Sequence, residues 1–306
     1  MKTRLYILTP NGNDFSESQM AVLNGAFDEV VFIDRVMPFD QLPDIMDEND
    51  KVFAIDPDFC DWNIPNSALD LPGLRAVCMD TTSFSWIDLN YARSKNVIVT
   101  NVRHWSSASV AEQAILLTFN VMRKIPLVLA NNKAIDFATM RGTELAGKVA
   151  GIIGLGYIGT KIGELCSGLG MKVKYWSRQS TDGRFERVEL ADLFKTADVI
   201  FPALAKNPET EKIITDQLLE SMKPTATFID IVGESMYNRK LLLDMAGSKR
   251  IYGLGLEEQN PKNYAGNVMV VPPLAYYTVE AMDRNIAQWL ECIVGIQSKE
   301  VKNKLN

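Results

Sequence analysis

Residues Gly147–Arg178, with the sequence GKVAGIIGLGYIGTKIGELCSGLGMKVKYWSR, contain the pattern from which the architecture can be inferred. The apolar run Val149–Ile153 is too short for a helix of its own and predicts a buried parallel strand. A glycine-rich turn follows, then a stretch with apolar residues at helical spacing, and then a second apolar run, Val173–Trp176. Strand, turn, helix and strand in this order predict one unit of a parallel α/β sheet.

The turn between the first strand and the helix has the spacing GxGxxG. In this pattern the first glycine permits a tight turn, the second lets the backbone approach a pyrophosphate, and the third brings the helix against the strand. The phosphates then lie at the N-terminus of the helix, where N–H groups lack acceptors. The alternative is a glycine-rich turn in an ordinary α/β domain. We expect the dinucleotide to contact Gly154, Gly156, Tyr157, Ile158 and Gly159.

The end of the second strand indicates which dinucleotide is bound. An Asp or Glu about 20 residues after the glycines would bind the ribose 2′-hydroxyl of NAD. This chain has Ser177 and then Arg178 there, so no carboxylate repels a 2′-phosphate and a guanidinium can bind one. The sequence therefore favours NADP, with Lys206 as a second cation near the nucleotide. The alternative is that Arg178 is a solvated surface charge.

Length and composition exclude several classes of protein. A chain of 306 residues is long for one core and predicts two domains. A net charge of −6 argues against nucleic acid or an anionic membrane surface as a partner. The four cysteines lack metal-binding spacing, and no apolar run reaches the ~18 residues of a membrane span. We expect a cytoplasmic protein with a small-molecule substrate and no metal site.

Short β-rich runs alternate with helix-length segments on both sides of the glycine motif, which predicts two doubly wound parallel sheets. The runs before the motif are Leu5–Leu8, Val30–Ile33, Val52–Ile55, Leu74–Met79 and Val97–Val99. Ser109 and Glu112 have the spacing of a capping box, which predicts the start of an amphipathic helix that continues to Arg123.

Several short motifs resemble those of the D-isomer-specific 2-hydroxyacid dehydrogenase family. They include Val110-Ala111-Glu112-Gln113, Asn207-Pro208-Glu209-Thr210, Met222-Lys223-Pro224 and Gly253-Leu254-Gly255-Leu256. The resemblance implies a Rossmann NADP-binding domain of residues 100–277, inserted into a flavodoxin-like substrate domain of residues 1–99 and 278–306. It also implies a homodimer joined through the nucleotide domains. Glu257 stands where the family has an Asp that meets the nicotinamide amide.

The same motifs show that the residues the family uses for catalysis are absent here. The family's substrate-binding arginine falls on Gly233, its glutamate on Asn260, and its histidine on Pro273 or Leu274. The glycine pair that receives a substrate carboxylate appears as Thr81-Thr82-Ser83. We therefore expect the fold and the cofactor to carry over, but not the 2-hydroxyacid chemistry.

Other residues could take over the catalytic work. The candidates for proton transfer or charge stabilisation are His104, Glu234 and Tyr276, and the expected substrate-binding residues are Thr81, Thr82, Ser83, Trp105 and Gly233. Carboxylates at or near the strand ends, Asp56, Asp58 and Asp80, would attract a cation if they face the cleft. The alternative is that they are solvated loop acids.

An iminium substrate is already protonated, so it would need neither the missing acid nor the missing arginine. The sequence thus favours an NADPH-dependent reductase of a small substrate such as a cyclic imine. One alternative is a non-catalytic NADP-binding sensor or regulatory protein. Another is a reductase of 2-oxo acids or neutral ketones that uses substitutes such as Arg103 and His104.

Overall fold

The computed structural model describes residues 2–10, 12, 14–205, 209–211, 213–233 and 236–306. The chain divides into two compact units. The split unit comprises Met1–Trp105 and Val279–Asn306, and the contiguous unit comprises Ser106–Thr278. The domain bounds expected from the resemblance differ from these units at residues 100–105, which lie in the split unit, and at Thr278, which lies in the contiguous unit. In the described ranges, no helix combines the length and apolar character needed to cross a membrane.

The split unit is built on a five-stranded sheet whose paired strands are all parallel. Its strands are β1 (Thr3–Leu8), β2 (Glu29–Ile33), β3 (Asp50–Ile55), β4 (Leu74–Met79) and β5 (Ile98–Thr100). Their order, β2-β1-β3-β4-β5, is that of flavodoxin-like sheets. The helices are α1 (Glu17–Ala26), α2 (Asn66–Leu69), α3 (Leu89–Ser94) and, after the contiguous unit, α10 (Val279–Ser298).

Helix α10 completes one face of this sheet, although it comes from the far end of the chain. Trp289 is 1% exposed, stacks on Phe15 with ring centroids 5.0 Å apart, and donates from Nε1 to the Cys78 carbonyl at 2.8 Å. Asn285 donates to the Asp80 carbonyl at 2.7 Å. The helix thus contributes both apolar burial and hydrogen bonds to the carboxyl end of β4.

The contiguous unit is a seven-stranded parallel sheet with helices. Its strands are β6 (Val149–Ile153), β7 (Lys172–Trp176), β8 (Glu186–Arg187), β9 (Val199–Pro202), β10 (Thr227–Ile229), β11 (Gly253–Glu257) and β12 (Val268–Val271). Its helices are α4 (Ser107–Met122), α5 (Ile125–Ala130), α6 (Tyr157–Gly168), α7 (Leu190–Thr196), α8 (Asp216–Glu220) and α9 (Arg239–Gly247). The strand order is β12-β11-β10-β9-β6-β7-β8. Successive strands are therefore added on one side of β6 and then on its other side, as in Rossmann folds. The predicted architecture of two parallel α/β sheets is confirmed.

The capping box predicted at the start of α4 is wrong. The N-cap residue of the helix is Ser106, whose side chain makes no capping hydrogen bond, and Ser109 already lies in the first turn. The Ser109 hydroxyl instead donates to the carbonyl of Ala275, so it ties the helix to the segment before residue 278. A polar residue that is 5% exposed needs such a partner, and a tertiary acceptor replaces the local one.

Candidate functional site

The three glycines after β6 have the three separate properties that a dinucleotide turn requires. Gly154 has φ +96°, and a Cβ there would lie 2.7 Å from the Ala203 carbonyl oxygen. A Cβ on Gly159 would overlap the carbonyl oxygen of Gly154, so only a glycine lets α6 pack this closely on the turn. A Cβ on Gly156 would meet no atom within 4 Å. Open space at the second glycine is what a close approach of phosphate needs.

Helix α6 begins next to the open space at Gly156. Gly156 is the N-cap residue and provides no side chain to accept a hydrogen bond. Tyr157, the first helical residue, is 62% exposed, whereas Ile158 packs partly buried against the core of the unit. Free backbone donors at a helix N-terminus attract an anion. The chemistry of this turn therefore fits the pyrophosphate of a dinucleotide.

The end of β7 places Ser177 and Arg178 where the sequence predicted them, beside this turn. The Trp176 carbonyl accepts from Gly154 N at 2.8 Å, which joins the strand end to the glycine turn. Ser177 is buried, and its hydroxyl accepts a hydrogen bond from Ser180 N at 3.1 Å. The Arg178 guanidinium is partly exposed and pairs with the carboxylate of Glu209. A 2′-phosphate at this position would compete with Glu209. Lys206, the second predicted cation, lies outside the described residues.

A cavity of about 550 Å³ lies in the contiguous unit at the carboxyl ends of β10 and β11. Gly233, Glu257, Asn260 and Pro273, which the sequence analysis compared with family positions, all line it. Gly233 has φ +87°, a conformation that side chains rarely adopt, so an arginine at this position would be strained. The backbone itself therefore disfavours the residue that the family carries here. Glu234 lies outside the described residues.

Asp230 organises the loop that follows β10. Its carboxylate is 1% exposed, and Oδ1 accepts from Val232 N at 3.0 Å and from Gly233 N at 2.9 Å. Its Oδ2 accepts from Arg239 Nη2 at 3.3 Å, and the same nitrogen donates to the Glu257 carbonyl at 3.1 Å. This pair fixes the shape of the loop by charge-assisted hydrogen bonds.

Arg239 is a candidate site residue that was missed in the sequence. It lines the cavity from the first turn of α9, where its side chain is 12% exposed and lies 3.9 Å from the carboxylate of Glu258. The resemblance placed the substrate-binding guanidinium at position 233, and Arg103 was the substitute that the sequence offered. The cue for Arg239 was its place at the start of a helix that follows the loop, directly after the N-cap Asn238.

Glu257 binds the segment onto which the resemblance places the family's histidine. Its Oε1 accepts from Ala275 N at 2.9 Å, from Leu274 N at 3.1 Å and from Gln113 Nε2 at 3.3 Å. Burial raises the pKa of the Glu257 carboxyl, and these three donors oppose that rise. Tyr276, just beyond, is 45% exposed, with its ring 6.1 Å from that of Tyr277. The carboxylate thus orients the backbone that carries Tyr276.

The substrate residues expected on the split unit lie together after β4. Thr81 Oγ1 donates to the Ser83 carbonyl at 2.9 Å, and the Thr82 carbonyl accepts from Asn101 Nδ2 at 2.8 Å. Thr82 and Ser83 are exposed, so this loop is accessible. Its side chains replace glycines without strain, because in the described ranges no residue of the loop has a positive φ.

His104 and Trp105 follow β5 in the split unit. His104 is exposed at φ +59°, and burial, then the Arg103 guanidinium, lowers the pKa of its imidazole. Trp105 is half-buried, and its carbonyl accepts from Arg284 Nε at 2.8 Å. A histidine with a lowered pKa is largely neutral at pH 7 and can accept a proton. Over the described residues, no group of three His, Cys, Asp or Glu side chains could hold a metal ion.

Residues 115–272 match the family model described as the NAD binding domain of D-isomer specific 2-hydroxyacid dehydrogenases. The chain is 32% identical over 227 residues to a protein of Staphylococcus saprophyticus named among the 2-hydroxyacid dehydrogenases, which covers 69% of this chain and 71% of that protein. It is 24% identical over 252 residues to the D-lactate dehydrogenase of Streptococcus pyogenes, over 73% of this chain and 76% of that enzyme.

Solved structures share the whole fold at lower identity. An acyclic imino acid reductase in complex with NADPH and D-Arg superposes with a TM-score of 0.83 at 22% identity, over 99% of this chain and 100% of that one. D-lactate dehydrogenase with NAD⁺ from Lactobacillus jensenii superposes with a TM-score of 0.78 at 20% identity, over 99% of both chains. At these identities the likeness concerns the fold.

Proposed function

Because this chain belongs to the D-isomer specific 2-hydroxyacid dehydrogenase family, we propose that it is an oxidoreductase that uses NADPH to reduce a small imine. Membership supports an NAD(P)-binding domain and hydride chemistry. The finer parts of the proposal, namely the preference for NADPH and the imine substrate, rest on the chain's own residues. The observation that carries the proposal is the cavity lined by Asp230, Arg239, Glu257 and Glu258 in the unit that also holds a complete dinucleotide turn.

The residues that would hold the cofactor are those of the glycine turn and of the strand end after β7. The N–H groups of the first turn of α6 would bind the pyrophosphate over Gly156. Arg178 would bind the 2′-phosphate of NADP after exchanging its Glu209 partner for that anion. When bound, the reduced nicotinamide supplies the hydride.

The charge of the cavity favours an electrophile that needs no anion-binding arginine. Its lining includes three carboxylates and two cations, and the guanidinium of Arg239 is held by Asp230 and by the Glu257 carbonyl. A protonated imine would be stabilised by the surrounding negative charge and needs no general acid to accept hydride at carbon. The likeness in fold to an acyclic imino acid reductase in complex with NADPH and D-Arg supports this proposal.

The proposed roles of the catalytic candidates follow from their surroundings. Glu257 and the Asp230–Arg239 pair are positioning residues, since they fix the two backbone segments that border the cavity. His104, Glu234 and Tyr276 remain proposed groups for proton transfer when the product amine leaves or when the substrate arrives neutral. Thr81, Thr82, Ser83 and Trp105 are the proposed substrate contacts of the split unit.

A second candidate function is reduction of a 2-oxo acid or a neutral ketone. It is favoured by Arg239, because a guanidinium in the cavity could bind a carboxylate in place of the missing arginine. For that role, Arg239 would have to leave Asp230 unpaired in a site where the carboxylate is 1% exposed. This cost places the 2-oxo acid reading second. A non-catalytic NADP-binding sensor is the third candidate function, because the residues that the family uses for catalysis are absent.

The experiment that tests the function is NADPH absorbance with a matched substrate panel. Cyclic imines, neutral ketones and 2-oxo acids of similar size are each offered at equal concentration. We expect turnover of at least one imine and rates below about 1 s⁻¹ with pyruvate, glyoxylate and hydroxypyruvate, since ordinary enzymes start near that rate. Faster turnover of the 2-oxo acids would establish the second candidate. NADPH binding without turnover of any compound would establish the sensor.

A further inference from the structure

Three polar residues follow the ends of adjacent strands in the split unit and form one row. Leu8 pairs with Ile55, and Ile55 pairs with Met79, so the next residues along β1, β3 and β4 are Thr9, Asp56 and Asp80. The ladder continues through them, because Asp56 N donates to the Leu8 carbonyl at 3.0 Å and Asp80 N to the Ile55 carbonyl at 3.4 Å. Neighbouring strands lie roughly 4.8 Å apart, which sets the spacing of the row.

The side chains of this row share one face of the sheet. Side chains alternate along a strand, so Thr9, Asp56 and Asp80 lie on the same face as the residues two positions earlier. Those earlier residues, Ile7, Ala54 and Cys78, belong to the buried cluster that includes Trp289 of α10. The carboxylates of Asp56 and Asp80 therefore lie on the same sheet face, directly beyond the buried cluster at the carboxyl ends of the strands. Like charges directly side by side on a sheet face repel one another.

Within the described residues, two oxygens of the row lack the partners that buried polar atoms require. Asp80 Oδ1 and Thr9 Oγ1 are out of solvent contact and make no hydrogen bond within the described part of the chain, and Thr9 as a whole is 3% exposed. Among the described residues, Asp56 Oδ1 accepts the local bond from Asp58 N at 2.7 Å and no other. Over the described ranges, no lysine, arginine or histidine forms an ion pair with Asp56 or Asp80.

Burial and mutual repulsion both act on these carboxyls. Burial raises the pKa of Asp80 well above its usual value, and Asp56, Asp14 and Asp58 raise it further. Burial likewise raises the pKa of Asp56, with Asp58 and Asp14 adding to the rise. An acidic group at the carboxyl edge of a parallel sheet that forms no ion pair with the described residues is typical of a ligand site, because ligands bind there in open α/β folds.

We propose that Asp56, Asp80 and the hydroxyl of Thr9 form a subsite for an ammonium or guanidinium group carried by the substrate. A cation with several N–H donors would satisfy the free oxygens of the row and cancel the repulsion between the two carboxylates. A metal ion fits less well, since the described residues contain no group of three metal-ligating side chains. In taking the cation as part of the substrate, the inference rests on the proposed reductase function.

The position of the row supports this assignment. Asp80 directly precedes the Thr81–Ser83 loop, so a group bound at Asp80 is adjacent to the proposed substrate contacts. The backbone of Asp80 is fixed by Asn285, whose Nδ2 donates to its carbonyl at 2.7 Å. The subsite is thus preorganised, and little ordering is needed on binding.

The direct test uses n-butylguanidinium against n-butylurea, its uncharged isostere, in calorimetric titrations of the intact chain. We expect saturable binding of the guanidinium and at least roughly tenfold weaker binding of the urea, as for loss of a charge-assisted contact. Asp80→Asn and Asp56→Asn should each weaken guanidinium binding by about tenfold or more. Asparagine at position 56 keeps the N-cap acceptor for Asp58 N, so this variant is expected to fold.

The matched control is Asp58→Asn, which removes the same charge from an exposed neighbour outside the row. It should change guanidinium binding by less than about twofold, since an exposed charge is screened. Equal binding of the two probes, or equal losses in Asp58→Asn and Asp80→Asn, would overturn the subsite.

A kinetic arm separates this inference from the proposed function. If the chain reduces both a cationic and a neutral imine of equal size, Asp80→Asn should raise KM for the cationic imine only. An unchanged KM ratio would overturn the subsite while the reductase stands. Probe binding that is lost in Asp80→Asn, together with no turnover of any imine or ketone, would support the subsite and overturn the reductase.

Discussion

Arg239 donates through Nη2 to Oδ2 of Asp230 at 3.3 Å, with the aspartate 1% exposed and the arginine 12% exposed. The pair joins the first turn of α9 to the end of β10 and so defines one wall of the cavity. Charged partners this deeply buried depend on each other, because removal of one leaves the other desolvated and unpaired.

Replacing Arg239 with Ala should therefore lower the free energy of unfolding by about 3–5 kcal/mol, the usual cost of breaking a buried ion pair. Urea denaturation followed by circular dichroism measures this loss. Lys240→Ala is the matched control, since Lys240 is the next residue of α9 and its side chain is 88% exposed. Losses of equal size in the two variants would contradict the role assigned to the Asp230–Arg239 pair.

Arg178→Ala should remove most of a preference for NADPH over NADH. Loss of a charge-assisted phosphate contact costs about 1.5–3 kcal/mol, which corresponds to roughly tenfold or more in affinity. Fluorescence titration with both dinucleotides measures the preference, and Arg184→Ala, which removes another exposed arginine of the contiguous unit, is the control. Glu209→Ala should act in the opposite direction, because it frees the guanidinium. Identical NADPH and NADH curves for the unmutated chain would refute the proposed preference.

Two glycine substitutions should separate binding from folding. Gly156→Ala adds a methyl group to open space at φ −89°, so the fold should tolerate it while dinucleotide binding weakens by at least about tenfold. Gly159→Ala would overlap the Gly154 carbonyl and should destabilise the fold by about 1–3 kcal/mol. Thermal melts with and without NADPH distinguish the two effects. A Gly156→Ala variant with unchanged NADPH affinity would show that phosphate does not approach at this turn.

Asp80→Asn should stabilise the protein at neutral pH and lose that advantage in acid. Burial raises the pKa of Asp80 well above 3.8, so above pH 3.8 the native state retains a proton that the unfolded chain releases. The free energy of unfolding of the unmutated chain therefore falls as pH rises from about 4 through the native pKa. Asparagine does not titrate, and the difference in melting temperature between variant and parent should grow over that interval. A difference independent of pH would contradict this.

Other titratable groups near Asp80 also affect how the melting temperature depends on pH. Asp14, Asp56 and Asp58 raise its pKa, and the Cys78 thiol, with a pKa of about 12, lies two residues earlier on the same sheet face. The thiol stays protonated throughout the interval, so the carboxyls alone contribute. Asp58→Asn, an exposed neighbour, should show a smaller change with pH than Asp80→Asn.

The chain should form a dimer through α4, as the resemblance to the family implies. Leu116 and Phe119 of α4 are 54% and 40% exposed, and with Ile135 and Met140 they border an apolar groove of about 630 Å³ in the contiguous unit. Burying one large apolar side chain contributes about 1.5–3 kcal/mol, so Phe119→Asp should weaken association by more than roughly tenfold. Val22→Asp, at a 49% exposed apolar residue of α1, is the control. Light scattering that gives the mass of one chain at micromolar concentration would exclude the dimer.

The sequence was most informative where a local pattern determines local geometry. The β6–turn–α6 unit follows from glycine spacing, and the short apolar runs identified the other strands of both sheets except β8, because buried parallel strands need continuous apolar residues. Strand β8 consists of Glu186 and Arg187 and has no apolar residue, so it was missed. Local patterns misled at Ser109, whose hydroxyl bonds to Ala275, a residue 166 positions away. A capping motif cannot reveal a tertiary acceptor.

The candidate site was less predictable because it depends on contacts between distant segments. Arg239 was missed since the search followed a family position, whereas α9 brings this side chain to Asp230 from nine residues further along. Asp56 and Asp80 were recognised as strand-end acids, but the row with Thr9 requires the register of β1, β3 and β4. The roles proposed for Lys206 and Glu234, outside the described residues, stay predictions from sequence.

The division of the split unit between both ends of the chain has a consequence for biosynthesis. Trp289 of α10 closes the core over Cys78 and Phe15, yet the ribosome makes it after all of Ser106–Thr278. The contiguous unit can therefore complete its core while the first sheet still exposes the apolar face that α10 will cover. Domains generally fold as units during synthesis, and exposed apolar surface in unfinished ones promotes aggregation. We expect a nascent chain stalled before residue 279 to bind chaperones through this uncovered face, and a chain released with α10 to be free of them.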